Sequence, residues 1–125
     1  MPVRSLSSSV LRWPDRQTVD RAVRAWAAKV AACSEEVLRI GYFGSYASGN
    51  WGVGSDLDVV MVVADSDLAF EHRPSQWDTF DLPVPTDLLV YTREEWDRMD
   101  PGCRFTKVLR NQTVWVYLRP EVGYE

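Results

Sequence analysis

The stretch Gly44-Ser45-Tyr46-Ala47-Ser48-Gly49-Asn50-Trp51-Gly52-Val53-Gly54-Ser55-Asp56-Leu57-Asp58 decides how this chain is read. It opens on a Gly-Ser turn and closes on an Asp-x-Asp pair, with ten residues between Ser45 and Asp56. The two aspartates open a strand that runs on through a nearly unbroken apolar segment, Leu57 to Ala64, the pattern of a strand buried on both faces. Side chains alternate along a strand. Asp56 and Asp58 therefore project from one face, with backbone positions about 6.6 Å apart. Carboxylates so placed repel each other, and hard divalent cations between them turn the repulsion into attraction. Gly44 lets the backbone approach a phosphate closely. The N–H groups that open the short helix after it, together with the Ser45 hydroxyl, form a phosphate cradle beside the carboxylates.

Upstream, Val37 to Phe43 reads as the strand that delivers the chain to Gly44. Before it, Val19, Ala22, Val23, Trp26, Ala27, Val30 and Ala31 form an apolar stripe at helical spacing, which predicts a helix from about Asp15 to Cys33. Downstream, Asp65 to Pro85 is charged and holds three prolines, and it reads as a long loop with a short helix around Ser75–Thr79. Thr86 to Tyr91 is a third strand, with Asp87 near its start. If it lies beside the second strand, Asp87 joins Asp56 and Asp58 on one face, and three carboxylates on neighbouring strands make a two-metal site. Thr92-Arg93-Glu94-Glu95 is a capping box that opens a short helix. Asp100-Pro101 predicts the start of another, with Phe105, Val108 and Leu109 turned inward. Thr113 to Leu118 is the last strand. This order predicts an α/β (α+β) fold, a small sheet of about four strands with helices packed on it, and a single domain over residues 1–125.

Composition narrows the function classes. The chain has 125 residues, 46% hydrophobic and 26% charged, and a formal charge of −4, so bulk electrostatics do not equip it to grip a nucleic-acid backbone. The longest apolar runs are strand-sized, short of the roughly 20 residues of a membrane helix, and Met1 to Leu11 carries no apolar leader. Cys33 and Cys103 form no metal or disulfide pattern and suit a reducing cytoplasm. His72 is the sole histidine, which removes histidine-rich metal sites, and it reads as a loop residue.

Competing motifs fail. Gly44 and Gly49 have the glycine spacing of a phosphate-binding Walker loop, but Asn50-Trp51 stands where Lys-Ser/Thr is required. Gly49, Gly52 and Gly54 run in the wrong order for a dinucleotide fingerprint. Asp65-Ser66-Asp67 is a second Asp-x-Asp that serves as an internal control. It lies at the far end of its strand with no Gly-Ser before it, and reads as a solvated pair or turn cap.

Gly44-Ser45, ten residues, then Asp56-Leu57-Asp58 resembles the signature of the polymerase-beta-like nucleotidyltransferase superfamily. The short chain and Thr86-Asp87-Leu88-Leu89-Val90 resemble its minimal nucleotidyltransferase branch, over about Val37 to Leu118. The resemblance implies the nucleotidyltransferase fold and transfer of a nucleoside monophosphate, AMP from ATP foremost, to a hydroxyl. It implies that Asp56 and Asp58 bind two magnesium ions, with manganese as a substitute, and that Asp87 is the third carboxylate. Gly44 and Ser45 would hold the triphosphate. Ser48 departs from the pattern, since many members carry a basic residue there, and this weakens the implication for nucleotide affinity and choice.

No part of the chain reads as a second substrate domain, so the acceptor is expected on another protein chain. In the resembling family that partner is often a HEPN-type toxin ribonuclease, modified on a tyrosine. This chain is not the toxin half, because no Arg occupies the six residues before His72. Two alternatives stand beside this reading: a binding module that neutralises a partner by contact alone, and an aminoglycoside-type small-molecule nucleotidyltransferase. In the long loop, Phe70, Trp77 and Phe80 are expected either to meet a partner or a second copy on the acceptor side of the site, or to pin the loop to the sheet. Arg104, Lys107 and Arg110 read as a solvated helix face, and Trp51 as a base-stacking or a packing residue.

Overall fold

The computed structural model describes residues 13–120; the segment Met1 to Leu11, expected to lack an apolar leader, lies outside them. Helix α1 spans Arg16–Cys33, capped by Asp15, whose side chain accepts a hydrogen bond from the Thr18 N–H at 2.8 Å. Val19, Val23, Trp26 and Ala27 of its stripe are buried, as the periodicity requires. Strand β1 follows at Val37–Phe43, then a one-turn helix α2 at Ser45–Ser48 and strand β2 at Leu57–Val63. Strand β3 is Thr86–Thr92, helix α3 Arg93–Asp97, helix α4 Arg104–Gln112 and strand β4 Val114–Leu118.

The sheet is mixed, in the order β3-β2-β1-β4. Strand β1 runs antiparallel to β2 and β4, and β2 runs parallel to β3. Two apolar layers cover the sheet. Leu57, Val59, Met61 and Val63 of β2 pack with Val19, Val23, Trp26 and Ala27 of α1. The alternate residues Val60 and Val62 pack with Phe43, Trp96 of α3 and Leu109 of α4. No helix among the described residues is long and apolar enough to cross a membrane.

Four expectations need correcting. Asp100-Pro101 does not start a helix. Asp100, Pro101 and Gly102 form a turn closed by the Cys103 N–H on the Asp100 carbonyl at 3.0 Å, and α4 begins only at Arg104. Asp, Pro and Gly are turn residues as much as helix-opening ones, and the local signal does not separate the two. The loop helix is a 3-10 turn at Phe70–Gln76, earlier than expected. Phe105 is not inward: Leu109 is fully buried, but Phe105, one turn nearer the helix start, is 42% exposed, resting edge to face on Phe43 at the end of β1. Arg110 is not merely solvated. It donates to the Trp96 carbonyl and lies over the Trp96 ring, 5.4 Å from its centroid, which ties α4 to α3.

The path of the loop follows from the strand pairing. Because β2 and β3 are parallel, the chain must travel from one end of the sheet to the other. Its 3-10 turn lies along the outer edge of β3, where Arg73 donates to the Val90 carbonyl at 3.1 Å. It then returns over the α1 side. There Trp26 Nε1 donates to the Asp78 carbonyl at 2.7 Å, Lys29 pairs with Asp81, and Leu82 and Val84 enter the core. Trp77 packs against that same core, and Phe70 stands 5.1 Å from the Tyr91 ring, so both pin the loop. Phe80 alone of the three is 91% exposed.

Gly41 sets how closely β4 approaches β1. A Cβ there would stand 2.8 Å from both the Val114 carbonyl oxygen and the Trp115 ring. Gly41→Ala is expected to destabilise the protein by about 1–3 kcal/mol, read as a lower urea midpoint, because the Thr113 methyl, the Trp115 ring and the Val114 backbone must all give way at once.

Candidate active site

The antiparallel turn from β1 to β2 and the parallel pairing of β2 with β3 bring three chain segments to one end of the sheet. These are the end of β1 with Gly44 and Ser45, the start of β2 with Asp56 and Asp58, and the start of β3 with Asp87. Asp58 is in direct register with Asp87 across β2 and β3, so their Cα atoms lie on neighbouring strands about 4.8 Å apart. Both share the face of Val60, Val62, Leu89 and Tyr91, the side covered by α3 and α4. Asp56 lies one residue ahead of β2, exposed at the rim, while Asp58 is half-buried.

The electrostatics follow from this crowding. Burial, then the charge of Asp87, then that of Asp56 push the Asp58 carboxyl above its ordinary value of 3.8. Gly44 touches the same group. Its φ of 79° and ψ of −148° fall in a region open to glycine and almost closed to other residues. A Cβ placed on Gly44 would run into the Asp58 carboxylate oxygen. The Gly44 carbonyl accepts from the Ala47 and Ser48 N–H groups at 3.1 and 2.9 Å, which starts α2 directly after the turn.

Among the described residues, no three His, Cys, Asp or Glu side chains already stand around a common point as a metal cage. The donor chemistry nevertheless suits a divalent cation. The set is all oxygen, the charges are alike, and Asp58 is held in a state that a neighbouring positive charge would relieve.

The remaining sequence candidates fall elsewhere. Asp65 and Asp67 lie past the opposite end of β2, lining a cleft of about 420 Å³ with Glu36 and Trp77. Trp51 stacks on Tyr46 with ring centroids 5.7 Å apart and planes 5° from parallel, so it packs the turn. His72 is exposed in the 3-10 turn. Sequence reasoning missed one ion pair and one aromatic residue. Arg73 and Glu95 form a bidentate pair, 2.6 and 3.0 Å, between positions that share no local motif. Phe105 stands beside the site by virtue of the way α4 crosses the sheet end, and periodicity alone hid it in the core.

The family described as nucleotidyltransferase domain matches residues 27–115, and the chain belongs to that family. Among solved structures, it is similar to a Sulfolobus solfataricus protein provisionally described as a nucleotidyltransferase. That pair is 18% identical with a TM-score of 0.61, over 83% of this chain and 84% of the other. It is also similar to a chain in a toxin-antitoxin structure with AMP-PNP, 16% identical with a TM-score of 0.51, over 82% of this chain and 76% of that one. At these identities the likeness speaks for the fold. No curated protein sequence matches the chain.

Proposed function

We propose that this chain transfers AMP from ATP to a hydroxyl of a partner protein, a HEPN-type toxin. The observation that carries this reading is the convergence of Gly44, Ser45, Asp56, Asp58 and Asp87 at one sheet end. Membership of the nucleotidyltransferase family and likeness to a toxin-antitoxin chain solved with an ATP analogue support it.

In this reading the Gly44–Ser45 turn holds the β- and γ-phosphates, through backbone N–H groups and the Ser45 hydroxyl. Asp56 and Asp58 would hold two magnesium ions and Asp87 would complete the set; such ions would screen the phosphate charge and lower the pKa of the acceptor hydroxyl. Asp87 takes the hydroxyl proton on a carboxylate oxygen. The freed oxygen attacks the α-phosphorus, the bond to the β-phosphate oxygen breaks, and pyrophosphate leaves on the Gly44–Ser45 side. Most of the rate then comes from positioning and charge. The exposed, unpaired thiols Cys33 and Cys103 suit a reducing cytoplasm.

The test is incubation with α-labelled ATP, magnesium and a cell lysate. Label on a protein, lost in EDTA, is the expected result. Label on a small molecule instead would move the reading to an aminoglycoside-type enzyme. Partner binding with no label anywhere would leave a contact-only module.

A further inference from the structure

The inference rests on the nucleotidyl-transfer reading and concerns what recognises the donor nucleotide. Across the site end of the sheet, three residues stand in one row on one face. Asp87 of β3 is in register with Asp58 of β2, and Asp58 is in register with Phe43 of β1. Asp58 thus has a carboxylate on one side and an aromatic ring on the other. The carboxylate side is where an acceptor hydroxyl finds its proton acceptor. Gly44, the phosphate turn, follows directly after Phe43, so the donor's phosphates lie on the aromatic side.

Helix α4 adds a second ring to that side. Phe105 meets Phe43 edge to face, with ring centroids 5.9 Å apart and planes at 78°. Phe43 is buried, whereas Phe105 is among the exposed large apolar residues. Phe43 therefore braces Phe105 at the rim of the donor side, and nothing else in the first turn of α4 is apolar: its neighbours are Arg104, Thr106 and Lys107.

We propose that Phe105 is the platform on which the base of the donor nucleotide stacks. Stacking uses the π-face that every base has, so this contact sets affinity without reading hydrogen-bonding edges. The expected substrate class is a nucleoside triphosphate bound through its base and phosphates together, with purines held more tightly than pyrimidines.

Calorimetry in magnesium tests this with two probes: ATP, and inorganic tripolyphosphate, which shares the phosphates and lacks the nucleoside. Phe105→Ala is expected to weaken ATP roughly 5- to 150-fold. Tripolyphosphate binding should stay unchanged, and Phe105→Trp should bind ATP at least as well as the original chain. ATP affinity unchanged in Phe105→Ala overturns the platform. So does an equal loss of ATP and tripolyphosphate, which marks a structural role. If the unmodified chain binds neither probe, the nucleotidyl-transfer reading fails as well. If it binds both and Phe105→Ala matches it, only the platform fails.

Discussion

With Asp58 replaced by Asn, label transfer from ATP is expected to fall by roughly three orders of magnitude, while the melting temperature measured in EDTA rises. Asp58 is the member of the carboxylate set that feels the charge of both others: it is in register with Asp87, is pushed up by Asp56 as well, and stands against Gly44. Asn keeps the shape and removes the charge that a cation would need. The rise in stability follows from the sign of the pKa shift. The carboxyl is pushed up by burial first and by Asp87 and Asp56 next, so the folded state holds the proton more tightly than the unfolded one. Its contribution to stability is fully present below the ordinary value of 3.8 and is lost as pH rises through the folded value. At neutral pH without metal, the ionised group is a net penalty, and Asn removes it. Asp65→Asn, at the other end of the sheet, should alter neither quantity. Retained transfer, or a lower melting temperature, in Asp58→Asn would contradict a charge-crowded metal site.

Arg73→Met is expected to destabilise the protein by about 2–3 kcal/mol, or a melting temperature lower by roughly 10 °C. Arg73 is only 6% exposed and serves three partners. It donates to the Leu68 carbonyl at 2.9 Å, to Val90 on the free edge of β3, and through both terminal nitrogens to Glu95. Glu95 also accepts from the Thr92 N–H at 3.0 Å in the capping box of α3. One guanidinium therefore joins the loop, the sheet edge and a helix start. The side chain of Glu95 is 43% exposed, so water can take it back, and this keeps the cost below that of breaking a fully buried pair. Arg73→Lys should rescue little, because a point charge cannot make the fork. Arg73, through hydrogen bonding above all, holds the Glu95 carboxyl below its ordinary value of 4.5. A lowered carboxyl stabilises the fold above the unfolded value, and that share is lost as pH falls through the folded one. The difference between the two proteins, measured by urea unfolding, should therefore shrink below about pH 4.

The candidate site was legible because its residues are close in sequence or at a strand start. The spacing from Gly44-Ser45 to Asp56-Leu57-Asp58 is a hairpin-scale feature, and alternation along β2 assigns Asp58 to the face of Val60 and Val62, with Asp56 one residue ahead of the strand. The apolar stripe of α1 and the capping box at Thr92 were legible for the same reason: each is decided within a few residues by periodicity or by a local hydrogen bond.

What lay beyond the sequence is everything settled between segments far apart in the chain. Asp87 meets Asp58 only because β3 pairs with β2 in parallel and in that register, a choice made by packing both strands between α1 and the α3–α4 layer. Arg73 and Glu95 share no pattern, since their pairing depends on a loop folded back along the edge of β3. Asp100-Pro101-Gly102 could open a helix or close a turn, and the packing of Leu109 and Trp96 decides for the turn. Phe105 follows the helical period that buries Leu109, yet it meets only Phe43, the last residue of β1, and stays 42% exposed. The sequence by itself determined which side chains are the candidates for the chemistry and where along the chain they stand. Tertiary structure alone decided what stands beside them, because neighbours on adjacent strands and crossing helices are selected by burial of whole faces, not by local order.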